Sequence, residues 1–413
     1  MSSFRARSPF HREVEALERA IHNVRNAESV VQPLQFVNPG VSDEDIHAVM
    51  RVLRSGWLTT GFECRAFEEE LSDYLGAHYA VATASGTAAL EVALRCLDLP
   101  RGARVAIPTW TFVATMTAVL GAGLAPVLVD VDPDSLNVSP HALEAALGSG
   151  IDAVVLVHFA GVPVEREVHE LCARADVPVV EDAAHALGAV DHRGLIRGAG
   201  CVAACFSFGS TGNITAGEGG ALVTDRADVA ARAAALRLHG LTRDAWARFH
   251  PDEPARYGLL EPGTKANLPD LLAALGRSQL ARLEDRQERR RRLVIEYRKQ
   301  LAAIPGARAV PEHLSVDGSD HLLVAELPAG VDRDRVQQHL RDGGVPTAVH
   351  FPPLHHFDWF RAHAEIGRGG LAVADAHADR VLSLPLHAEM TLSDVERVVT
   401  TLRDAVAGAP ATA

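Results

Sequence analysis

The chain has 413 residues, of which 47% are hydrophobic and 23% charged, and its formal net charge is −13 at pH 7. This length predicts two domains, or one large domain with a smaller one, and no apolar run approaches the roughly 20 residues that a transmembrane helix needs. The negative charge argues against nucleic acid as a partner, because it would repel the phosphate backbone.

The first predicted element is a charged helical extension over residues 1–34. It lacks the apolar core of a signal peptide, and the five cysteines are scattered without a CxxC pair. We therefore predict a cytoplasmic protein with neither a disulfide framework nor a metal site. A helix is predicted to follow Ser42, which stands three residues before Asp45 as in a capping box.

Short apolar runs alternate with helical patterns between residues 78 and 225. The runs are YAVATAS (79–85), RVAIP (104–108), APVLVDV (125–131), AVVLVH (153–158), VPVVED (177–182), VAACFSF (202–208) and GALVTD (220–225). Such alternation predicts an α/β fold whose mainly parallel central sheet is flanked by helices, and we assign it to a large cofactor-binding domain over residues 35–265. Ligands bind at the carboxyl ends of the strands in sheets of this kind.

A connecting helix is predicted over residues 266–303. Its run EDRQERRRRLVIEYRKQ (284–300) interleaves arginines with glutamates, as on a solvated helix face. Beyond it, HLLVAELP and TAVHFP are typical of strands, and DRDRVQQHLRDGG is typical of a helix that ends in glycine. We assign residues 304–413 to a smaller C-terminal α+β domain.

Two candidate binding motifs follow predicted strands. ASGTAALEVAL (84–94) places Ser85, Gly86 and Thr87 at a helix N-terminus, where backbone N–H groups bind anions, although Ser-Gly-Thr is also an ordinary helix cap. In VVEDAAHALGA (179–189), Asp182 either pairs with a ring nitrogen or hydroxyl group in the crevice or caps the next helix. His185 lies one turn further on.

A third motif is CFSFGSTGNITAGEGGALVTD (205–225), which holds Ser207, Asn213 and a group of glycines that allow close backbone approach. In the C-terminal part, three histidines near HFPPLHH either meet an acidic group of a ligand or are ordinary packing residues: His350, His355 and His356.

Together these motifs resemble the DegT/StrS family of sugar aminotransferases, which are pyridoxal-phosphate enzymes of fold type I. The resemblance runs from about residue 35 to residue 405. It is carried also by SGWLTTG (55–61), PTWTFVAT (108–115), PVLVDVDPDSLNV (126–138), KANLPDLLAALGRSQL (265–280) and VLSLPLHAEMT (381–391). It implies a large cofactor-binding domain, a small C-terminal domain and a homodimer with shared active sites.

The resemblance also implies roles for individual residues. The cofactor phosphate would be held by Ser85, Gly86, Thr87 and Ser207, with Asn267 reaching the cofactor of the neighbouring subunit. Phe112 would stack on the pyridine ring, Asp182 would keep the ring nitrogen protonated, and His185 would lie beside the phenolic oxygen. Thr60 and His158 would lie near the substrate or the ring.

One position departs from the family pattern. Members usually read Ser-Phe-x-x-Thr-Lys-Asn, and their lysine links covalently to the cofactor and then carries a proton; here Gly212 stands in its place. Because glycine can do neither, the loss of the positioned base alone should cost about 10²- to 10⁴-fold in rate. Ordinary transaminase turnover is therefore not expected.

Three explanations stay open. In the first explanation, Gly212 is an engineered change. Gly209 and Ser210 also depart from the family pattern, however, and this favours natural divergence. Alternatively, pyridoxal 5′-phosphate (PLP) or pyridoxamine 5′-phosphate (PMP) binds non-covalently and another base serves a step on a keto or amino sugar, as in the family's dehydratase branch. The candidate bases are His185, His158 and, from a partner subunit, Lys265.

The third explanation is a cofactor-free enzyme of natural-product biosynthesis or a non-catalytic pseudoenzyme. Retained cofactor binding is favoured over it, because the phosphate and ring contacts are still present and buried polar groups without their ligand would be unpaired.

Overall fold

The computed structural model describes residues 33–242, 257–312 and 317–408. The predicted N-terminal extension lies outside the described residues up to residue 32. The capping box at Ser42 is confirmed: its hydroxyl accepts from the backbone N–H of Asp45, and the Asp45 carboxylate accepts from the N–H of Ser42. Among the described residues, no helix has the length and apolar character that crossing a bilayer requires.

The strands and helices are named in chain order. The strands are β1 (Tyr79–Thr83), β2 (Arg104–Pro108), β3 (Ala125–Val129), β4 (Ala153–Val157), β5 (Val179–Asp182), β6 (Val190–Asp191), β7 (Gly194–Leu195), β8 (Ala203–Ser207), β9 (Gly220–Thr224), β10 (Arg308–Val310), β11 (Leu323–Glu326), β12 (Glu365–Ile366) and β13 (Val381–Leu384). The helices are α1 (Asp43–Ser55), α2 (Phe62–Leu75), α3 (Gly86–Arg95), α4 (Val113–Gly121), α5 (Pro140–Leu147), α6 (Arg166–Arg174), α7 (Ala227–Leu236), α8 (Asp270–Leu280), α9 (Leu283–Leu301), α10 (Arg333–Asp342), α11 (Asp358–His363), α12 (Ala372–Ala378) and α13 (Leu392–Gly408).

The large sheet confirms the predicted α/β architecture. Its strand order is β1-β9-β8-β5-β4-β2-β3-β12, in which β9 runs antiparallel to both of its neighbours and the other pairs are parallel. Both faces are covered by apolar clusters: Leu222 packs in one cluster and Val223 in another, as the alternation of side chains along a strand requires. The carboxyl ends of β1, β5 and β8 therefore meet at one edge.

The predicted connecting helix is divided into α8 and α9, with Ala281 and Arg282 between them. Ala274 of α8 packs against α1, whereas Tyr297 of α9 packs in the cluster of the C-terminal part. The expectation that the arginine run forms a solvated face holds for the exposed pair Glu288–Arg292. It is wrong for two other arginines of α9, Arg286 and Arg290, whose side chains are buried.

The C-terminal part contains a separate antiparallel sheet of order β10-β11-β13. HLLVAELP forms β11 as predicted, and DRDRVQQHLRDGG forms α10 with Gly343 at its end. TAVHFP does not form a strand, because only Ala348 pairs, in an isolated bridge to Ser383. The chain around it instead bends toward the edge where β1, β5 and β8 end.

Candidate functional site

A cavity of about 460 Å³ lies at this edge of the large sheet. The loops after β1, β5 and β8 form one wall, and α9 and the C-terminal part form the opposite wall. The lining includes seven residues that were predicted to bind the cofactor: Ser85, Gly86, Thr87, Phe112, Asp182, His185 and Ser207. It also includes Gly212, Asn213, Arg286, Arg290, His321, His350 and Phe351. The sequence motifs thus converge on one cavity.

The N-terminus of α3 forms the end of the cavity suited to an anion. Ser85 caps the helix, since its hydroxyl accepts from the N–H of Ala88 at 3.1 Å. A Cβ on Gly86 would lie 2.8 Å from the Cβ of Ser207, so only glycine lets Ser207 approach the first turn. The free N–H groups of this turn and the hydroxyls of Thr87 and Ser207 can together hold a phosphate.

Asp182 ends β5 with its carboxylate in the cavity lining. It accepts hydrogen bonds from the Thr115 hydroxyl at 2.7 Å and from the Ala184 N–H at 3.3 Å. Burial raises the pKa of Asp182, and these two donors offset part of that rise. A cationic ring nitrogen against this carboxylate would restore its charged form.

His185 lies in a stack of rings on the floor of the cavity. Its ring centroid is 4.1 Å from that of His321 and 5.8 Å from that of Phe351, with nearly parallel planes. Its Nδ1 accepts from the N–H of Ala160 at 3.3 Å. Burial and the nearby His350 lower the pKa of His185 to about 3, so the ring is neutral and carries its proton on Nε2.

Asn213 and His321 form a second polar group beside this stack. The Asn213 amide nitrogen lies 3.4 Å from the carbonyl oxygen of Leu187 and 3.2 Å from that of Ser319. Its amide oxygen lies 2.6 Å from Nδ1 of His321. Burial, together with the nearby His185 and the charge of Arg290, holds the pKa of His321 well below its ordinary value.

Gly212 lies in a tight turn in which its N–H donates to the carbonyl oxygen of Gly209 at 3.0 Å. A Cβ on Gly212 would lie 2.6 Å from the carbonyl oxygen of Ile214 and 3.2 Å from those of Ser207 and Gly209. Contacts under 3 Å to backbone oxygen do not occur without a shift of the chain, so the turn as folded excludes any side chain at this position.

Two buried arginines give the opposite wall a positive charge. Arg290 is only 4% exposed and donates to the carbonyl oxygen of Asn213 at 3.4 Å. Its Nε and Nη2 are buried without a hydrogen-bond partner among the described residues. Burial and the charge of Arg286 lower the pKa of Arg290 to about 10, which leaves it charged at neutral pH. Anions are therefore favoured in the cavity.

The structure does not bring His158 to this site. His158 is fully buried, accepts at Nδ1 from the Val164 N–H at 3.1 Å and has Nε2 3.6 Å from Glu181. The cause is strand register: Val157 pairs with Asp182, so His158 lies on the face that carries Glu181. Burial would raise the pKa of Glu181, but His158, His169 and Arg193 hold it well below its usual value.

Thr60, Lys265 and Asn267 also lie outside the cavity lining of a single chain. The Asn267 amide donates to the Thr60 hydroxyl at 2.5 Å, and the Lys265 ammonium donates to the Asn267 side-chain oxygen. Thr60 in turn donates to the carbonyl oxygen of Leu268 at 2.6 Å and is buried. Phe112, by contrast, lines the cavity and is 53% exposed.

Sequence reasoning missed His321, Phe351 and the two arginines as site residues. Arg286 and Arg290 stand four apart and so share one face of α9, a spacing that would have placed them together. His321 gives no such signal, because it merely precedes an ordinary strand. His350 lines the cavity, whereas His355 and His356 bind Asp375 outside it.

Comparison with known proteins gives the same assignment along the chain. A sequence model of the DegT/DnrJ/EryC1/StrS aminotransferase family matches residues 39–403. The structure is similar to Helicobacter pylori PseC, an aminotransferase of pseudoaminic acid biosynthesis, at 25% identity and a TM-score of 0.84, covering 91% of this chain and 100% of that one.

Two further solved structures resemble the chain over the same extent. DesV of S. venezuelae is 31% identical, with a TM-score of 0.82 over 91% of this chain and 98% of that one. The putative sugar aminotransferase Spr1654 of Streptococcus pneumoniae, in its PLP form, is 25% identical, with a TM-score of 0.82 over 91% of this chain and 99% of that one.

Proposed function

The chain belongs to the DegT/DnrJ/EryC1/StrS aminotransferase family, and from this premise we propose that it binds PLP or PMP non-covalently. With that cofactor it performs a lysine-independent step on a keto or amino sugar, or a related small metabolite, in a biosynthetic pathway. One observation carries the proposal: Asp182, the α3 anion site and a neutral His185 face one cavity, while the turn at Gly212 excludes the usual lysine.

The residues present fit the proposed cofactor. Its phosphate would be held by the first turn of α3 with Thr87 and Ser207, its ring nitrogen by Asp182, and its phenolic oxygen by the Nε2–H of His185. The cofactor, when bound, supplies an electron sink for charge that develops on the substrate carbon. A cavity of about 460 Å³ is within the range of small-molecule sites, which is about 300–1,000 Å³.

Each of these side chains contributes by holding charge or a proton at a fixed atom. The Asp182 carboxylate would keep a proton on the ring nitrogen, since an opposite charge favours the ionised forms of both groups. Thr115 fixes the carboxylate in place through its 2.7 Å hydrogen bond. His185 would orient the ring by donating from Nε2, and its low pKa means that it does not take up a second proton.

We also propose a homodimer in which the group of Thr60, Lys265 and Asn267 completes the partner's site. Within one chain these residues bind one another outside the cavity, yet Asn267 pairs with Thr83 directly before the α3 anion site. Lys265 is exposed. Sedimentation should give a dimer, and mixing Asp182→Asn with Asn267→Ala protein should regain part of the cofactor binding that each lacks alone.

The direct test is cofactor binding by the purified protein. We expect one PLP or PMP per chain in equilibrium dialysis and full release of the cofactor on denaturation. Borohydride treatment should leave no cofactor covalently attached, since Gly212 has no side-chain amine. Lys265 and Lys299 are the only lysines in the sequence, so peptide masses report any covalent link directly. His363→Gln, an exposed residue on α11, is the matched control. Failure to bind either form would overturn the proposal in favour of a cofactor-free or non-catalytic homologue.

A further inference from the structure

The orientation of the Asn213 side chain is fixed by its surroundings. Its amide nitrogen faces the carbonyl oxygens of Leu187 and Ser319, which only accept hydrogen bonds. The reverse orientation would set oxygen against oxygen at both contacts. The amide oxygen of Asn213 must therefore point at Nδ1 of His321, 2.6 Å away.

This contact determines the tautomer of His321. An amide oxygen has no proton to donate, so Nδ1 of His321 carries the hydrogen and the neutral ring has its lone pair on Nε2. His321 lines the cavity, and its Nε2 forms no hydrogen bond with the part of the chain that the structure describes. The result is an unprotonated nitrogen with a free lone pair on a ring that lines the cavity.

None of the other three histidines that line the cavity, His185, His350 and His387, is prepared in this way. His185 accepts at Nδ1 from a backbone N–H, so its Nε2 is a donor. His350 has Nδ1 2.9 Å from the Ser383 hydroxyl, which can donate or accept and so leaves the tautomer open. His387 has its Nδ1 buried without a hydrogen-bond partner among the described residues, so no such contact fixes its tautomer. Of the four rings, His321 alone has its proton fixed on Nδ1 by a partner that cannot donate.

The position of His321 relative to the missing lysine strengthens this assignment. Asn213, its partner, directly follows Gly212, and both residues line the same cavity as His321. The His321 ring is stacked at 4.1 Å on His185, which limits its rotation. A base held there lies near the backbone position from which the lysine side chain of other family members would extend.

We infer that His321 is the catalytic base that replaces the lysine, with Asn213 as its positioning residue, an inference that rests on the proposed function. The C–H bond of the substrate carbon next to nitrogen would break, its electron pair would stay on the substrate, for which bound PLP or PMP would supply an electron sink, and the proton would move to Nε2 of His321. The imidazolium exchanges its proton with solvent and then gives a proton back to the substrate, so that no further reactant is consumed and deuterium enters the product in D₂O. Burial keeps the ring neutral beforehand, and a negative charge brought close to it would raise its pKa.

The first test needs neither cofactor nor substrate. Histidine labelled with ¹⁵N reports the tautomer of each ring by NMR, and His321→Asn and His185→Gln assign the two signals. We expect the Nδ1–H form for His321 and the Nε2–H form for His185 at pH 7.5, and loss of the Nδ1–H preference of His321 in Asn213→Ala. A His321 ring protonated on Nε2 would overturn the inference.

The second test measures proton transfer with PLP and L-glutamate in D₂O, following deuterium at the α-carbon above the level given by PLP alone. His321→Asn is the sharpest variant, because its amide keeps a donor where Nδ1 was and removes the basic nitrogen. We expect exchange to fall at least about 100-fold while PLP affinity stays within about threefold. His185→Gln should instead weaken PLP binding, and His363→Gln should change neither.

The possible outcomes distinguish a failure of this inference from a failure of the proposed function. If PLP binds and His321→Asn exchanges as fast as the parent, or the parent shows no exchange above PLP alone, the inference is overturned and the proposed function stands. If neither PLP nor PMP binds, the proposed function fails and the inference fails with it, whatever the tautomer of His321.

Discussion

The turn at Gly212 allows a sharp test, because two glycines in it differ in the space around them. A Cβ on Gly212 would lie 2.6 Å from the Ile214 carbonyl oxygen, whereas a Cβ on Gly209 would have Ser207 and Glu218 oxygens no nearer than 3.9 Å. Neither glycine has a positive φ. Gly212→Ala and Gly209→Ala therefore form a matched pair that differs in crowding alone.

The expected magnitudes follow from two opposing effects. Alanine in place of glycine stabilises by about 0.4–1 kcal/mol, because it restricts the unfolded chain. Overpacking costs about 1–3 kcal/mol. Gly209→Ala should therefore be neutral or slightly stabilising, and Gly212→Ala should lose roughly 0.5–2 kcal/mol in the free energy of unfolding. Gly212→Lys carries the same Cβ and should show at least the same loss.

Urea denaturation followed by far-UV circular dichroism at pH 7.5 measures the difference as a shift of midpoint. The two alanine variants should be compared with and without PLP, so that a weakened cofactor site is not mistaken for a weakened fold. If Gly212→Ala is as stable as Gly209→Ala, the turn can accept a side chain and the crowding argument is refuted.

Three further results are expected. Asp182→Asn should weaken PLP and PMP binding about 10- to 150-fold in fluorescence titrations, because it removes a charge-assisted hydrogen bond worth about 1.5–3 kcal/mol, and unchanged affinity would contradict the role of Asp182. Ser85→Ala should lower the free energy of unfolding by about 1 kcal/mol through loss of the helix cap, whereas Ser207→Ala should lower phosphate affinity and leave the urea midpoint unchanged. Burial holds the pKa of His185 at about 3 and that of His350 at about 4. On acidification below pH 6.5, these histidines therefore take up protons in the unfolded chain before they do so in the folded protein. Their contribution to the free energy of unfolding, which is complete above pH 6.5, should fall by about 1.4 kcal/mol per pH unit for each ring. Equal urea midpoints at pH 7 and pH 5 would contradict that pH dependence, and His350→Gln should flatten it.

The residues that the sequence could predict are those whose role follows from local pattern. Asp182 and Ser207 end buried apolar runs, and the edge at which parallel strands end is where ligands bind, so their convergence was predictable. The glycine in place of lysine was visible in the motif itself. Two roles were predicted for Ser85, anion binding and helix capping, and in the structure its hydroxyl caps the helix.

The site residues that the sequence did not predict correctly depend on long-range packing, which a local sequence pattern does not contain. His158 ends β4 much as Asp182 ends β5, but one residue of register sends it to the opposite face beside Glu181. His321 and Asn213 meet across 108 residues of sequence, and neither belongs to a recognisable motif with the other. The crowding at Gly212 depends on the path of the backbone through Ile214, which composition cannot report.

The closed turn at Gly212 also bears on the history of this lineage. Because the backbone occupies the volume that a first side-chain carbon at position 212 would need, a single codon change to lysine would not by itself give a side chain that fits this turn. The path of the backbone through Ile214 would have to shift as well, because its carbonyl oxygen lies too close to where that carbon would be. Position 212 can therefore change to a larger residue only together with the main chain around it.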